Sequence, residues 1–325
     1  MDEDQVQAYN LIIGGHNLCR TGQAGTGKSY VVKKAVKKLR KRGMHVVLTC
    51  STGIGPTVFD DEKPCIVHKW AGLEDGRHEN NTLLHLIMND ERYTNVKHEI
   101  QTTDYLFIDE VSMISSKMFN QVEFICRNVR KSPVYFGNST VVLSGDVWQL
   151  PPVRNELHGD FGHHYFTTSW FDTVFTHHVN LNIIDRQSDT ILINAINELE
   201  RGTPSPTTIA FMNSVTRPLS DEMKKISVHR FARNIDCDLS NYNKVQDLSG
   251  ELHVFPSVDE GDTHYLNTFL APKNLGLKIG CPVMLLVNLS NELVNGKIGK
   301  VSNISVEDNV NLILKLWNCI TQVVL

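Results

Sequence analysis

The stretch RTGQAGTGKSYVV, residues 20–32, decides the fold. It holds G-x-x-x-x-G-K-S from Gly22 to Ser29. The preceding NLCRT reads as a short strand, and KSYVVKKAVKKLRKRG reads as a helix stopped at Gly43. Strand, glycine loop and helix in that order form the context of a phosphate-binding P-loop. Gly22, Gly25 and Gly27, with Ala24 and Thr26 between them, let the backbone curl until several N–H groups face inward. The helix N-terminus adds positive potential at the same place. Lys28 is expected to reach the β- and γ-phosphates of a nucleotide, and Ser29 to set its hydroxyl on Mg²⁺. Within the helix, Val32, Ala35, Val36 and Leu39 keep helical spacing and mark the buried side. The run KKAVKKLRKRG is therefore a solvated face rather than a basic docking site.

The rest of the composition sets bounds. The chain has 325 residues, with 41% hydrophobic and 21% charged residues, which suits an ordinary globular protein of two domains. A formal net charge of -4 means that any nucleic-acid site must be a local patch. Seven cysteines without a C-x-x-C pair fit free thiols, and fourteen histidines show no metal-ligand spacing. No apolar run approaches the roughly 18 residues that a membrane span needs. The acidic opening MDEDQVQAY resembles neither a signal nor a transit peptide, so a nuclear or cytoplasmic location is expected, with no membrane partner.

Three apolar runs, HVVLTCST (45–52), YLFIDE (105–110) and TVVLSGD (140–146), suit strands of a parallel sheet covered on both faces. Ligands of such sheets gather beyond the C-terminal strand ends, where Gly22–Ser29, Ser51–Gly53, Asp109–Glu110 and Gly145–Gln149 fall. Residues 73–103 are more polar and read as an insertion. DTILINAINELERG reads as a helix closed by Gly202, and strand-like runs follow at 281–289, 296–306 and 310–318.

Two further motifs carry chemistry. Asp109 and Glu110 end an apolar strand. Beside a P-loop, the first carboxylate suits Mg²⁺ and the second suits the orientation and deprotonation of water. Taken alone, the pair is equally an exposed strand end. LSGDVWQLPPV offers the Gln149 amide as a sensor of a γ-phosphate or a water. By itself it is equally a loop stiffened by Pro151 and Pro152.

In order along the chain, these motifs resemble a Pif1-type DNA helicase of superfamily 1, the 5′-to-3′ branch. DEDQVQAYNLIIGGHN is similar to the adenine-contacting Q motif, with Gln5 as its glutamine. GQAGTGKS is the Walker A and IDEVSMI the family's Walker B. CSTGIGPT resembles the motif that grips single-strand phosphates through Ser51, Thr52 and Gly53. IVHKWAG places His68 in the register of another DNA-binding motif. EFICRNVRKSPVYFGNSTVVLSGDVWQLPPV resembles the family signature running into motif III, and LNIIDRQSDTILINAINELERG resembles motif IV with its Arg186-Gln187 pair.

The resemblance implies an α/β P-loop NTPase fold. Two RecA-like domains with parallel sheets are expected, the first over 1–177 with its insertion at 73–103, and a partial second over 178–325 entering an accessory subdomain. It implies hydrolysis of ATP with Mg²⁺, and translocation on single-stranded, forked or structured DNA in genome maintenance. Lys28, Glu110, Gln149 and Arg186 would be catalytic, Arg186 as an arginine finger or else as a structural residue at a helix start. Trp70 and Trp148 are either core residues or base-stacking platforms. The family's closing H-K-S-Q-G and A-L-S-R motifs do not occur before Leu325, and FARNIDCDLSN puts Arg233 where the family has Thr. A second expectation is therefore a clamp that binds ATP and DNA without productive unwinding. A small-metabolite kinase shares the P-loop but has no use for GDVWQLPPV or DRQ.

Overall fold

The computed structural model describes residues 1–51, 64–73, 76–220, 222–223, 227–257, 272–286, 297–307, 309–316 and 319–324, with backbone alone from 305 onward. The chain forms two compact units, Met1–Arg217 and Pro218–Leu325.

The first unit is built on six parallel strands: β1 (Leu18–Gly22), β2 (Val46–Cys50), β3 (Cys65–Ile66), β4 (Tyr105–Asp109), β5 (Thr140–Gly145) and β6 (His177–Leu181). Their order across the sheet is β3-β2-β4-β5-β1-β6, and every pairing is parallel. Alternate residues of the four inner strands, β1, β2, β4 and β5, enter opposite cores, as the strand period of two requires. Leu18, Phe107 and Val142 lie in one core with Val31, Val32, Ala35, Val36 and Leu39 of α2 (Lys28–Lys41). Cys19, Leu106, Ile108, Val141 and Leu143 lie in the other, against α6 (Ser116–Val129). Both faces are covered, which is why the strands read as nearly continuous apolar runs. The basic side of α2 points outward, with the Lys34 ammonium 4.6 Å from the centre of the Tyr30 ring.

Helix α1 (Glu3–Ile13) starts where the Asp2 carboxylate accepts from the Gln5 N–H, and it buries Gln5, Ala8 and Ile12. The segment expected as an insertion holds α4 (Asn80–Asn89) and α5 (Thr94–Thr102), which follow the short α3 (Val67–Ala71). Leu83, Ile87, Tyr93 and Ile100 belong to the same core as α6, so the insertion is part of the unit's packing. The signature stretch joins it there. Arg130 donates through Nη1 to the carbonyls of Ile100, Gln101 and Thr103, each at 2.9 Å, and through Nε to Gly137 O at 2.7 Å. One guanidinium thus serves carbonyls that the end of α5 leaves without a helical partner. Phe136, Gly137 and Asn138 are all left-handed, at φ +53°, +61° and +68°, a tight turn over Arg130 that sequence periodicity does not reveal.

The compact unit extends beyond the expected boundary at 177/178. His177–Leu181 pairs with β1 as the edge strand of the same sheet. α8 (Thr190–Glu200) then hydrogen-bonds back to the phosphate loop, and α9 (Pro206–Val215) closes the unit after the short α7 (Phe171–Val174).

The second unit also differs from the expectation. Its described strands pair antiparallel, where a second parallel sheet was expected. β7 (His253–Pro256) pairs with β8 (Asn274–Leu277). β9 (Pro282–Met284), β10 (Ile298–Glu307), β11 (Asn309–Leu316) and β12 (Cys319–Val324) form a sheet in the order β12-β11-β10-β9. β10, β11 and β12 follow one another with only one or two residues between them, too few for the crossover that parallel neighbours need. Leu277, Cys281 and Val301 make a small core. Lys278 Nζ donates to the carbonyls of Gln246 and Leu248 at the end of α10 (Asn234–Asp247).

Candidate nucleotide site and strand-binding edge

The functional candidates line up along one rim, the C-terminal ends of the parallel strands. From one edge to the other come His68 in α3 after β3, Ser51 after β2, Asp109 and Glu110 at the end of β4, Asp146 after β5, the phosphate loop after β1, and Asp185 with Arg186 after β6. This is the rim on which an open α/β sheet binds ligands.

The phosphate loop keeps its shape through glycine. Gly22, Gly25 and Gly27 sit at φ +150°, +92° and +80°, the region where a Cβ is strained. Their surroundings exclude side chains as well. A Cβ at Gly25 would lie 2.8 Å from the Cβ of Arg186, and one at Gly27 would lie 2.5 Å from Gln5 Nε2. Gln5 is buried and donates to Thr26 O at 3.1 Å and to Asp185 Oδ2 at 3.4 Å. The Asp185 N–H donates to Gly25 O at 2.9 Å. The Q-motif glutamine and the motif IV stretch therefore both touch the loop. Thr26 is buried with its hydroxyl on Gln23 O at 2.9 Å, and Ala24 is exposed. Gln23 reaches α8, donating to Asn197 Oδ1 at 2.6 Å and to Glu200 Oε2 at 2.5 Å.

Gly27 caps α2, so Lys28 and the half-buried Ser29 stand at the positive end of a fourteen-residue helix. The Lys28 ammonium lies on the loop's own carbonyls, Gly22 O at 2.6 Å and Gln23 O at 2.9 Å. Burial lowers its pKa, while Asp146, Glu110 and Asp109 oppose that shift. Glu110 moves the other way. Burial raises its pKa first, then Asp109, against the pull of Lys28. A carboxyl raised above the ordinary range is nearer to what a base at neutral pH needs. Glu110 is also left-handed, at φ +52°, a strained backbone for a residue with a side chain. Ser51 pins it there, its hydroxyl donating to Glu110 O at 2.8 Å and its N–H to Asp109 O at 3.2 Å.

Asp109 and Asp146 are buried. Among the described residues no group of three or more His, Cys, Asp or Glu is placed to hold a metal. The donor set of Ser29 and Asp109 instead suits a hard cation that takes most of its ligands from phosphate and water, the habit of Mg²⁺. Gln149 is exposed, and its amide donates to Asp146 Oδ2 at 3.1 Å. Arg186 is exposed over the loop. Asp146 and Asp185 were not singled out from the sequence. Asp146 stands in the quoted LSGD, and only its burial beside Gln149 separates it from a loop aspartate.

At the β2–β3 edge, His68 is half-buried, its pKa lowered by burial and its Nδ1 without a hydrogen-bond partner among the described residues. Thr52 and Gly53 lie outside the described residues. Trp70 is a core residue at 5% exposure, whereas Trp148 is 69% exposed on the loop that carries Gln149.

A family model described as PIF1-like helicase matches residues 1–187, and one for the DNA helicase Pif1 2B domain matches residues 265–304. The chain belongs to the PIF1-like helicase family. The ATP-dependent DNA helicase PIF1 of Emericella nidulans is 32% identical over 298 residues, covering 88% of this chain and 39% of that protein. Its counterpart in Saccharomyces cerevisiae (strain YJM789) is 28% identical over 312 residues, 93% of this chain and 35% of that protein. The chain thus spans between a third and two-fifths of these relatives' length. The crystal structure of Pif1 helicase from Candida albicans superposes with a TM-score of 0.86 at 27% identity, over 100% of this chain and 78% of that one. Bacteroides Pif1 bound to ssDNA shares the fold, with a TM-score of 0.74 at 24% identity, over 99% of this chain and 73% of that one. Among the described residues, no helix is long and apolar enough to cross a membrane.

Proposed function

We propose that this chain is the motor part of a DNA helicase, hydrolysing ATP with Mg²⁺ to move 5′-to-3′ along single-stranded DNA and to separate forked duplexes. The observation that carries the reading is the meeting of three motifs at one loop. Gln5 from α1 and Asp185–Arg186 from beyond β6 both pack on the Gly22–Ser29 loop, whose lysine feels Asp109, Glu110 and Asp146.

In this reading Lys28 exchanges the carbonyls of Gly22 and Gln23 for phosphate oxygens, and the inward N–H groups of Gly22–Lys28 hold the rest of the polyphosphate. Mg²⁺, when bound, offsets charge on the β- and γ-phosphates. Ser29 and Asp109 are the residues that would hold it. Glu110 accepts the proton of the attacking water, and Arg186 faces the charge that develops on the transferred group. Gln149, on Asp146, reports whether the γ-phosphate is present. Ser51 and His68 make the DNA side of the rim. Ser51 bonds the backbone of Asp109–Glu110, so a strand held at that edge would bear directly on the base. A DNA substrate agrees with a nuclear or cytoplasmic location and with roles in replication, recombination, repair and telomere upkeep.

The test is strand displacement on a duplex with a 5′ or a 3′ single-stranded tail. ATP-dependent release from the 5′-tailed substrate alone is expected. Release only from the 3′-tailed duplex would overturn the direction, and tight ATP-dependent binding without release would make the chain a clamp.

A further inference from the structure

β1 carries a charge that the scheme above does not use. Arg20, two residues before Gly22, is fully buried. Strand alternation puts it on the side of Leu18, the face that α2 covers, with Ser144 of β5 and Asp109 of β4 on that same face by the same rule. Its Nη2 donates to Ser144 Oγ at 2.6 Å. Its Nε and Nη1 are also buried, and neither has a hydrogen-bond partner among the described residues. Burial lowers its pKa to about 10, which leaves it cationic at neutral pH. Asp109 is the first of the charges that oppose the shift. Lys28 in turn feels Arg20 as a repelling charge.

A guanidinium in that place is not needed for packing, because an apolar side chain of similar volume commonly serves a core as well or better. Its effect is on the site above it. Three carboxylates, Asp109, Glu110 and Asp146, act on Lys28. Arg186 over the loop is exposed to water, so without Arg20 the screened-off charge that a polyphosphate meets is Lys28 against three carboxylates. With Arg20 the loop has a second fixed cation, on the sheet side of the nucleotide.

We propose that Arg20 is an electrostatic positioning residue of the nucleotide site, a permanent cation beneath the phosphate loop that lets the loop hold a nucleotide polyphosphate without a divalent metal and opposes metal at Asp109. This inference rests on the nucleotide reading of the loop. It makes the affinity for metal-free nucleotide depend on Arg20 far more than the affinity for the magnesium complex does, because the metal's own charge does in the complex what Arg20 does without it. A purely structural arginine affects both equally.

The test uses a fluorescent ADP analogue, titrated in EDTA and in Mg²⁺, on the whole chain and on Arg20→Met, Arg20→Gln and Arg20→Lys, with melting curves to follow folding. The neutral variants are expected to lose about tenfold or more of metal-free affinity, the scale of one charge acting at short range in protein, and less than about threefold of magnesium-bound affinity on the same scale. Arg20→Lys should keep the wild-type ratio. Equal losses in both buffers, or no loss in either, would overturn the proposal. If both neutral variants fail to fold, the unaltered chain decides: measurable binding in EDTA supports Arg20's role, and binding only with magnesium overturns it. Wild-type protein that bound no analogue in either buffer would instead overturn the nucleotide reading itself.

Discussion

Gly25→Ala tests whether the motif IV arginine works through its seat on the phosphate loop. Gly25 is at φ +92°, and a Cβ there would lie 2.8 Å from Arg186 Cβ and 3.4 Å from Ile184 Cγ2. The left-handed backbone alone costs an alanine about 1–2 kcal/mol. Relief of the 2.8 Å contact must come from backbone, because both atoms are Cβ positions that no rotamer change can move. The loop can give, or the 184–186 segment can lift and lose the Asp185 N–H to Gly25 O bond of 2.9 Å. Lifting is the smaller change, because Asp185 and Arg186 are exposed and Gly25 sits between the buried Gly22 and Thr26. A displacement of roughly 1 Å at a catalytic group costs on the order of a hundredfold in rate. Steady-state ATP hydrolysis should therefore fall about a hundredfold, while the melting midpoint drops by only several degrees, at about 2–4 °C per kcal/mol for a unit of this size. Gly43→Ala is the control. Gly43 has φ +78° and nothing within 4 Å of its would-be Cβ, so it should lose stability by a similar backbone strain and keep its turnover. Arg186→Ala should match Gly25→Ala, and the double variant should be no slower than either, since both remove one contribution. Wild-type turnover in Gly25→Ala, or single effects that multiply in the double variant, would refute the reasoning.

Four other predictions concern the site and the packing that supports it. Lys28→Ala should abolish nucleotide hydrolysis and leave the fold intact, read by turnover beside a melting curve; unchanged turnover removes the phosphate loop from the mechanism. Glu110→Gln should still bind ATP and Mg²⁺ but hydrolyse about a hundredfold more slowly or worse, the usual scale for a lost general base. Because burial and Asp109 raise the Glu110 pKa, its neutral form persists to higher pH than for an ordinary carboxyl. Turnover should rise with pH through a limb above the usual carboxylate range, and a limb within that range would contradict the assignment. Arg130→Met should cost about 3 kcal/mol by stripping one charged donor from four carbonyls, seen as a lower denaturation midpoint in urea; a loss below about 1 kcal/mol would show that water replaces the guanidinium without penalty.

Much of the first unit was legible because it obeys local rules. The loop glycines, the spacing of Val32, Ala35, Val36 and Leu39, and the apolar runs of β2, β4 and β5 each reflect a period or a backbone need that a sequence displays directly. β3 is only two residues long, and β6, HHVNL, alternates in burial as an edge strand rather than running apolar, so neither has the pattern of a buried parallel strand. The compact unit's extension to Arg217 depends on β6 pairing with β1, a contact between residues about 160 apart, which no local pattern encodes. The same holds for Gln5 on Thr26, Gln23 on α8 and Arg130 on the end of α5. Arg20 was invisible for another reason: in NLCRT it reads as one polar residue in a short strand, and only full burial between β5 and β6 shows it to be a charge without water. In the second unit, the runs at 281–289, 296–306 and 310–318 overlap β9, β10 and β11 over the described residues, but their antiparallel pairing follows from short connections that apolar content does not report.

The central claim is that one rim of the sheet couples nucleotide hydrolysis to a DNA strand, with Ser51 joining the strand edge to Asp109 and Glu110 through 3.2 Å and 2.8 Å bonds. ATP hydrolysis by the whole chain, measured with and without single-stranded DNA, tests it most directly. Turnover that rises tenfold or more with DNA, on the scale of a catalytic group brought into register, is the result predicted, with the rise lost in Glu110→Gln. Hydrolysis at the same rate with and without DNA would contradict the account.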